Sequence, residues 1–134
     1  MHKITDLIQS GASTNDLIEK TDCYCPLLWN HLHVAADGKV LPCCIGDWER
    51  PIGNINLQNF DDIWMGPEFK KLRKALLQDK KVPNCKTCYI KEQQSGFSLR
   101  HDAITKFHES AKDMVMTTQD DGTAPNAKPV YLDI

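Results

Sequence analysis

Six cysteines are the residues of this 134-residue chain whose types and spacing could do chemistry. Cys85 and Cys88 form a C-x-x-C motif that follows a proline and precedes a predicted helix, so one turn can present both thiolates to a single metal ion or cluster. Cys25 and either Cys43 or Cys44 supply two more sulfur atoms from two other segments. The sequence therefore predicts a site built from four thiolates.

Four sulfur ligands of this kind bind either zinc or an iron-sulfur cluster, and the chemistry alone favours zinc slightly. A thiol oxidoreductase that uses Cys85 and Cys88 is an alternative, but such redox pairs occur in a βαβ context that the helix-rich flanks do not supply. Idle thiols are a further alternative, although chance seldom assembles two cysteine pairs together with a hairpin cysteine.

Other residues near the predicted site are weaker candidates for metal ligands. His31 and His33 point to one side of the same predicted strand, and with Cys44 they could form a metal site of two imidazoles and one thiolate. Histidines on a half-exposed strand are more often polar-face residues. Cys23 has no predicted role.

A β-hairpin over residues 31–44 is expected to position the central cysteines. Asp37 and Gly38 lie between two runs of strand-forming residues, and an Asp-Gly pair is typical of a two-residue type I′ turn. With that turn, Cys43 lies on the apolar face of the second strand and Cys44 on the polar face. We therefore expect Cys43 to reach the site. The predicted pairs across the hairpin are Ala36 with Lys39, Val34 with Leu41, and Leu32 with Cys43.

The remaining elements are mostly helical by their apolar spacing. They are helices at 3–9 and 14–20, a short third strand at 53–57, helices that begin after Asn59 and at Pro67, and a long helix over 89–115 that bends at Gly96. The basic side chains of the helix that begins at Pro67 are expected to face solvent: Lys70, Lys71, Arg73 and Lys74.

Composition limits the class of protein. With 41% hydrophobic and 25% charged residues, the chain provides about one globular domain. The net charge of -2 excludes a whole-chain attraction to nucleic acid or to an anionic membrane. Because the N-terminus lacks the apolar run of a signal peptide, we expect a cytoplasmic protein. The predicted fold class is α+β: a small β-hairpin and a short third strand, with flanking helices, around one four-cysteine site.

The order of these motifs resembles the SPASM/twitch domains of radical S-adenosylmethionine enzymes. In that family a cysteine is followed by nine to fifteen residues, a glycine, four residues and a second cysteine. Cys25, Gly38 and Cys43 fit this pattern with twelve residues in the first gap. The resemblance covers about residues 23–100 and continues through further motifs: Gly53-Asn54-Ile55, Ile63-Trp64-x-Gly66-x-x-Phe69-x-x-Leu72-Arg73, and Pro83-x-Cys85-x-x-Cys88.

The resemblance implies one [4Fe-4S] cluster that is bound by Cys25, Cys43, Cys85 and Cys88. It favours this cluster over zinc, which remains the alternative. One cluster is implied because residues 89–134 contain no cysteine for a second. Four cysteine ligands leave no open iron, which favours electron transfer, a structural role or substrate positioning over direct binding of substrate to iron.

The resemblance also implies a radical S-adenosylmethionine barrel as partner, in the same chain or in a separate one, and a peptide or protein as substrate. The C-x-x-x-C-x-x-C loop of such barrels is absent from the sequence, so the chain alone is not expected to start radical chemistry. The expected organisation is an N-terminal helical segment at 1–22, the iron-sulfur domain at 23–116, a linker at 117–129, and at 130–134 the first strand of a barrel that the sequence does not include.

Overall fold

Helices surround a small four-stranded sheet in the computed structural model, which describes residues 3–129 and 131–133. Within these residues the helices are α1 (Lys3–Gln9), α2 (Thr14–Lys20), α3 (Leu27–Asn30), α4 (Phe60–Trp64), α5 (Pro67–Leu77), α6 (Lys86–Ser95) and α7 (Leu99–Met116). The strands are β1 (His31–Val34), β2 (Lys39–Leu41), β3 (Gly53–Asn54) and β4 (Tyr131–Asp133), and a 3-10 turn at Pro83–Cys85 precedes α6. This mixed architecture confirms the predicted α+β class.

The sheet has the strand order β3-β2-β1-β4. β2 is antiparallel to both β1 and β3, whereas β4 is parallel to β1, with Leu32 opposite Leu132. β4 overlaps the predicted strand at 130–134, of which residues 130 and 134 lie outside the described part of the chain. The partner of β4 is therefore β1, the first strand of the hairpin.

The hairpin turn is one residue longer than predicted. Val34 pairs with Val40, so the predicted pair of Val34 with Leu41 is wrong. A type I′ turn needs positive φ at both central residues, but in this loop only Gly38 has one, at +90°, while Asp37 does not. The chain therefore closes through a three-residue loop with a left-handed glycine at its end, which moves every later pair by one residue.

Two other predicted elements are shorter than expected. β3 ends at Asn54, because the chain then turns and the N–H of Leu57 donates to the Asn54 carbonyl at 3.1 Å. The predicted continuation of this strand is wrong, and Leu57 is exposed. The predicted long helix is interrupted rather than bent, since Gly96 adopts a φ of +74° and Ser98 begins α7 as its N-cap.

The core lies between the helices and the sheet, and the side chain of Arg73 is buried in it. Arg73 is fully buried, so the prediction that it faces solvent is wrong. Its guanidinium lies 4.7 Å from the ring centroids of both Trp64 and Phe69, and its Nε donates to the Leu28 carbonyl at 2.9 Å. Aromatic faces and carbonyl groups thus replace water around this cation.

Residues 117–129 contain no helix or strand, but they pack against the core. Trp64 Nε1 donates to the carbonyl of Ala127 at 3.1 Å, and the N–H of Lys128 donates to the Trp29 carbonyl at 3.1 Å. Ala124 is fully buried. These contacts guide the segment from the end of α7 to β4.

Candidate metal centre

Five of the six cysteines line one internal cavity. They are Cys23 and the four cysteines of the predicted set: Cys25, Cys43, Cys85 and Cys88. Cys44 is exposed and does not line the cavity. Apart from one buried arginine, the other lining residues are apolar: Leu27, Leu28, Ile45 and Leu99. The structure therefore brings the sequence-predicted residues together around one sulfur-rich space.

Helix starts position three of these cysteines. Cys25 directly precedes Pro26, the N-cap of α3, and its sulfur accepts a hydrogen bond from the N–H of Leu27. Cys85 is the N-cap of α6, and Cys88 lies in the first turn of that helix. The positive end of the α6 dipole therefore lies next to both sulfurs of the C-x-x-C motif, where it would offset negative charge on a bound group.

Cys43 reaches the cavity from a turn rather than from a strand. β2 ends at Leu41, and the following turn is closed by the N–H of Gly46, which donates to the Cys43 carbonyl at 3.0 Å. The N–H of Ile45 donates to the Cys43 sulfur. This turn directs Cys43 inward and leaves Cys44 at the surface, so alternation along a strand is not what separates the two cysteines.

Asp79 anchors the first cysteine-bearing loop, which is residues 21–26 between α2 and α3. Its carboxylate accepts hydrogen bonds from the N–H groups of Asp22, Cys23 and Tyr24 at 2.8 to 3.2 Å, and from Lys3 Nζ at 3.0 Å. Burial raises the pKa of this carboxyl, but the hydrogen bonds outweigh burial and hold the pKa below its usual value. Asp79 also adopts a left-handed φ of +55°.

The cavity raises the pKa of the thiols of the predicted set. Burial is the main cause, and the charges of neighbouring thiolates add to it: the pKa of Cys25 lies well above its usual range, and those of Cys43 and Cys85 rise to about 12. The pKa of Cys88 is also raised by burial. Thiols with raised pKa values are poor nucleophiles, which argues against the oxidoreductase alternative. Binding to a metal, in contrast, deprotonates a cysteine outright.

Arg100 contributes a buried positive charge to the cavity wall. Its guanidinium forms a two-bond contact with Glu92, at 2.9 Å from Nε to Oε2 and 2.7 Å from Nη2 to Oε1. It also donates to the carbonyls of Thr21 and Tyr24, at 3.1 and 3.0 Å. The backbone N–H of Arg100 donates to the Cys88 sulfur. This arginine therefore joins α6, α7 and the first cysteine-bearing loop beside the cysteines.

The alternative site of His31, His33 and Cys44 is not formed. Cys44 is exposed, and the His33 ring lies edge-on to Trp48 with the ring centroids 5.6 Å apart. Within the described residues, no three side chains of His, Cys, Asp or Glu converge closely enough to hold a single metal ion. A four-iron cluster binds its thiolates at separate corners and tolerates a wider spacing than the tetrahedron around zinc, whose Zn–S bonds are about 2.3 Å.

A known protein family matches the segment that carries the cysteines. The family model of SPASM, described as an iron-sulfur cluster-binding domain, matches residues 23–89, which is half of the chain. The chain belongs to the SPASM family. This SPASM domain matches no curated protein and no solved structure in the comparisons. The zinc alternative receives no support from the family match, because the family is described by iron-sulfur binding.

The residues of the cavity fit the cofactor that the SPASM family implies. The donors are sulfur atoms, which iron-sulfur clusters require, and the apolar walls exclude water. Backbone N–H groups that point at Cys25, Cys43 and Cys88, together with the Arg100 guanidinium, offset negative charge on the sulfurs. Among the helices of the described residues, none is long and apolar enough to cross a membrane.

Sequence reasoning assigned no role to three residues that shape this site. Asp79 contacts the first cysteine-bearing loop across 56 residues of sequence, and Arg100 contacts it across 76. Tyr89 directly follows the C-x-x-C motif, and its hydroxyl oxygen accepts a hydrogen bond from the N–H of Val82 at 3.1 Å. The only local signal is the position of Asp79 just after α5, where a residue in the left-handed conformation commonly ends a helix.

Proposed function

We propose that this SPASM domain binds one [4Fe-4S] cluster through Cys25, Cys43, Cys85 and Cys88. The observation that carries the proposal is the common cavity of these cysteines. Burial is the largest cause that raises the pKa of Cys25, and the charges of the other three cysteines raise it further, which supports a site shared by the four. A cluster relieves this repulsion by binding all four as thiolates.

Such a cluster supplies one-electron redox chemistry when it is bound. The residues of the chain provide its environment. Leu27, Leu28 and Ile45 keep water away from the sulfurs, and the N–H groups at the start of α3 and after β2 donate hydrogen bonds to Cys25 and Cys43. Hydrogen bonds and a nearby cation stabilise the more negative, reduced state and so raise the reduction potential.

The role we propose is that of an auxiliary centre in a radical S-adenosylmethionine enzyme. SPASM domains generally accompany a radical S-adenosylmethionine domain. We propose that the barrel is supplied in the same chain or by a separate protein, and that the substrate is a peptide or protein. Because four cysteine ligands saturate the cluster, the proposal assigns electron transfer or substrate positioning to this centre. Cleavage of S-adenosylmethionine is assigned to the partner.

Anaerobic reconstitution with iron and sulfide tests the proposal. We expect a brown protein with about four irons and four sulfides per chain, because four thiolates match one cubane cluster. The expected measurements are chemical iron and sulfide analysis and the absorption band of the cluster. A colourless protein that contains one tightly bound zinc ion would overturn the proposal.

Two neighbouring cysteines provide a matched control for the ligand set. Cys43→Ser removes a sulfur from the cavity and should lose most of the iron, whereas Cys44→Ser changes an exposed thiol and should retain nearly all of it. Both variants carry the same chemical change at adjacent positions. If the two variants lost iron in the opposite order, Cys44 would replace Cys43 in the proposed ligand set.

A further inference from the structure

A basic groove lies on the surface beside α5 and the segment that precedes the C-x-x-C motif. It is lined by residues of α5, by residues 80–84, and by Arg50 and Pro51. Its volume is about 390 Å³, which is within the range of ligand pockets, about 300 to 1,000 Å³. None of the described residues lines both this groove and the cysteine cavity, so the two are separate sites.

The charge of the groove is opposite to that of the chain. Four cationic side chains and one carboxylate, that of Glu68, line it, whereas the whole chain has a net charge of -2. Arg50 already forms an ion pair with Asp47, at 3.3 Å. The ion pairs within the described residues involve none of the other three cations, which are Lys71, Lys80 and Lys81. These exposed amines therefore create a local positive charge that attracts carboxylates.

The groove also presents apolar side chains. Leu72 and Val82 are 6% and 7% exposed, and they line the groove together with Ala75. Among the described residues that line it, none is aromatic, whereas proteins that bind single-stranded nucleic acid rely on aromatic side chains to stack the bases. Lysines beside apolar side chains therefore fit a peptide with both acidic and apolar residues better than they fit a nucleic acid.

Hydrogen bonds connect the groove to the segments that follow Cys43 and precede Cys85. Asn84 Nδ2 donates to the Arg50 carbonyl at 2.9 Å, and the Asn84 carbonyl accepts from the Asp47 N–H at 3.0 Å. Asn84 lines the groove and directly precedes Cys85 in the chain. A peptide in the groove would therefore lie next to a segment that carries a proposed cluster ligand.

We propose that this groove binds an acidic segment of the peptide or protein substrate. The carboxylates of the segment contact Lys71, Lys80 and Lys81, and its apolar side chains pack on Leu72 and Val82. These contacts are noncovalent, so no bond is formed or broken. The inference rests on the proposed function, because a peptide or protein substrate is part of it, and it adds the charge of the substrate and the surface that binds it.

Fluorescence anisotropy with labelled peptides tests the groove on the reconstituted chain. The probe is a short peptide that alternates glutamate and leucine. Two control peptides replace every glutamate with glutamine or every leucine with serine. We expect each control peptide to bind at least about tenfold more weakly than the probe, because one lacks the charges and the other lacks the apolar contacts. Added salt should also weaken binding of the probe, because the lysines are exposed.

Two triple variants, each with three lysines replaced by glutamine, form a matched pair. The first removes the groove lysines: Lys71→Gln, Lys80→Gln and Lys81→Gln. The second removes exposed lysines that do not line the groove: Lys20→Gln, Lys74→Gln and Lys91→Gln. We expect the first to bind the probe at least about tenfold more weakly and the second to lose less than about threefold. Because Lys71 and Lys74 lie on the same helix, their single variants carry the same comparison if a triple variant does not fold.

The iron content of the same samples separates this inference from the proposed function. With normal iron content, an equal loss of affinity in the two triple variants, or no binding of the probe to the unaltered chain, would overturn the inference alone. Tighter binding of single-stranded oligothymidine than of the probe would assign the groove to nucleic acid and would also overturn it. An unaltered chain that binds the probe through the groove lysines but takes up no iron would instead overturn the proposed cluster and leave the peptide groove standing.

Discussion

At the residue scale, one carboxylate holds the loop that carries two of the cavity cysteines. The side chain of Asp79 is 3% exposed and accepts from three consecutive backbone N–H groups, of Asp22, Cys23 and Tyr24. Removal of the acceptor leaves the N–H groups of Cys23 and Tyr24 without partners in a partly buried region, which costs about 1 to 3 kcal/mol for each buried group. Asp79 is therefore a positioning residue for Cys23 and Cys25.

We expect Asp79→Gly to lower the free energy of unfolding by about 2 kcal/mol or more, since the hydrogen bonds from three backbone N–H groups and from Lys3 Nζ are lost, and glycine tolerates the left-handed position without strain. Asp79→Asn keeps one acceptor oxygen and should lose less. Urea denaturation under anaerobic conditions measures both. As a control, Asp61→Ala removes an exposed carboxylate and should change the free energy by less than about 0.5 kcal/mol. Equal stability of Asp79→Gly and Asp61→Ala would contradict the anchoring role.

Individual residues of the site differ in how far sequence could predict them. The types and spacing of Cys25, Cys85 and Cys88 indicate a shared metal site, because a cysteine knuckle before a helix is a local pattern. Asp79 and Arg100 act through contacts that span 56 and 76 residues. No periodicity or turn signal encodes such contacts, so the roles of these two residues are visible only in the folded chain.

At the scale of elements, loop length decided the register of the hairpin. The Asp37-Gly38 pair correctly predicted a turn, but the same pair fits a two-residue or a three-residue loop. Side chains from a later segment contribute to the observed loop: Asn56 Nδ2 donates to the Asp37 carbonyl at 3.2 Å, and Asn54 Oδ1 accepts from the Asn56 N–H at 2.9 Å. The register therefore depended on contacts outside the hairpin sequence.

Gly38 offers a test of this loop. A Cβ atom at Gly38 would lie 2.4 Å from Asn56 Nδ2 and 2.6 Å from Asn54 Oδ1, and both side chains are already engaged in hydrogen bonds. We expect Gly38→Ala to destabilise the fold by about 2 to 3 kcal/mol, from a left-handed alanine and the broken contacts. Thermal or urea unfolding measures the loss.

Gly11 is the matched control for Gly38, because its φ of +85° is nearly the same and an added Cβ would meet nothing within 4 Å. Gly11→Ala should lower the free energy of unfolding by only about 1 kcal/mol, which is the cost of a left-handed alanine backbone. A loss for Gly38→Ala no larger than that for Gly11→Ala would show that the contacts with Asn54 and Asn56 do not hold the loop.

At the scale of the whole molecule, the cavity joins segments that lie far apart in the chain. The cysteines come from the loop before α3, the turn after β2 and the start of α6, while α7 contributes Arg100 to the wall. A chain of 134 residues has a small core, so a bound group that links these segments contributes a large share of the stability. Binding free energy at such a site is also folding free energy.

We therefore expect the cluster-free chain to unfold at a lower temperature than the reconstituted chain, by several degrees or more. Differential scanning fluorimetry under anaerobic conditions measures both forms. Cys44→Ser should keep the same difference, since its exposed thiol lies outside the cavity, whereas Cys43→Ser should lose it because the cluster no longer joins the hairpin to α6. If the two forms of the unaltered chain unfolded at the same temperature, the segments would be held by the protein core alone, and the cavity would have no part in stability.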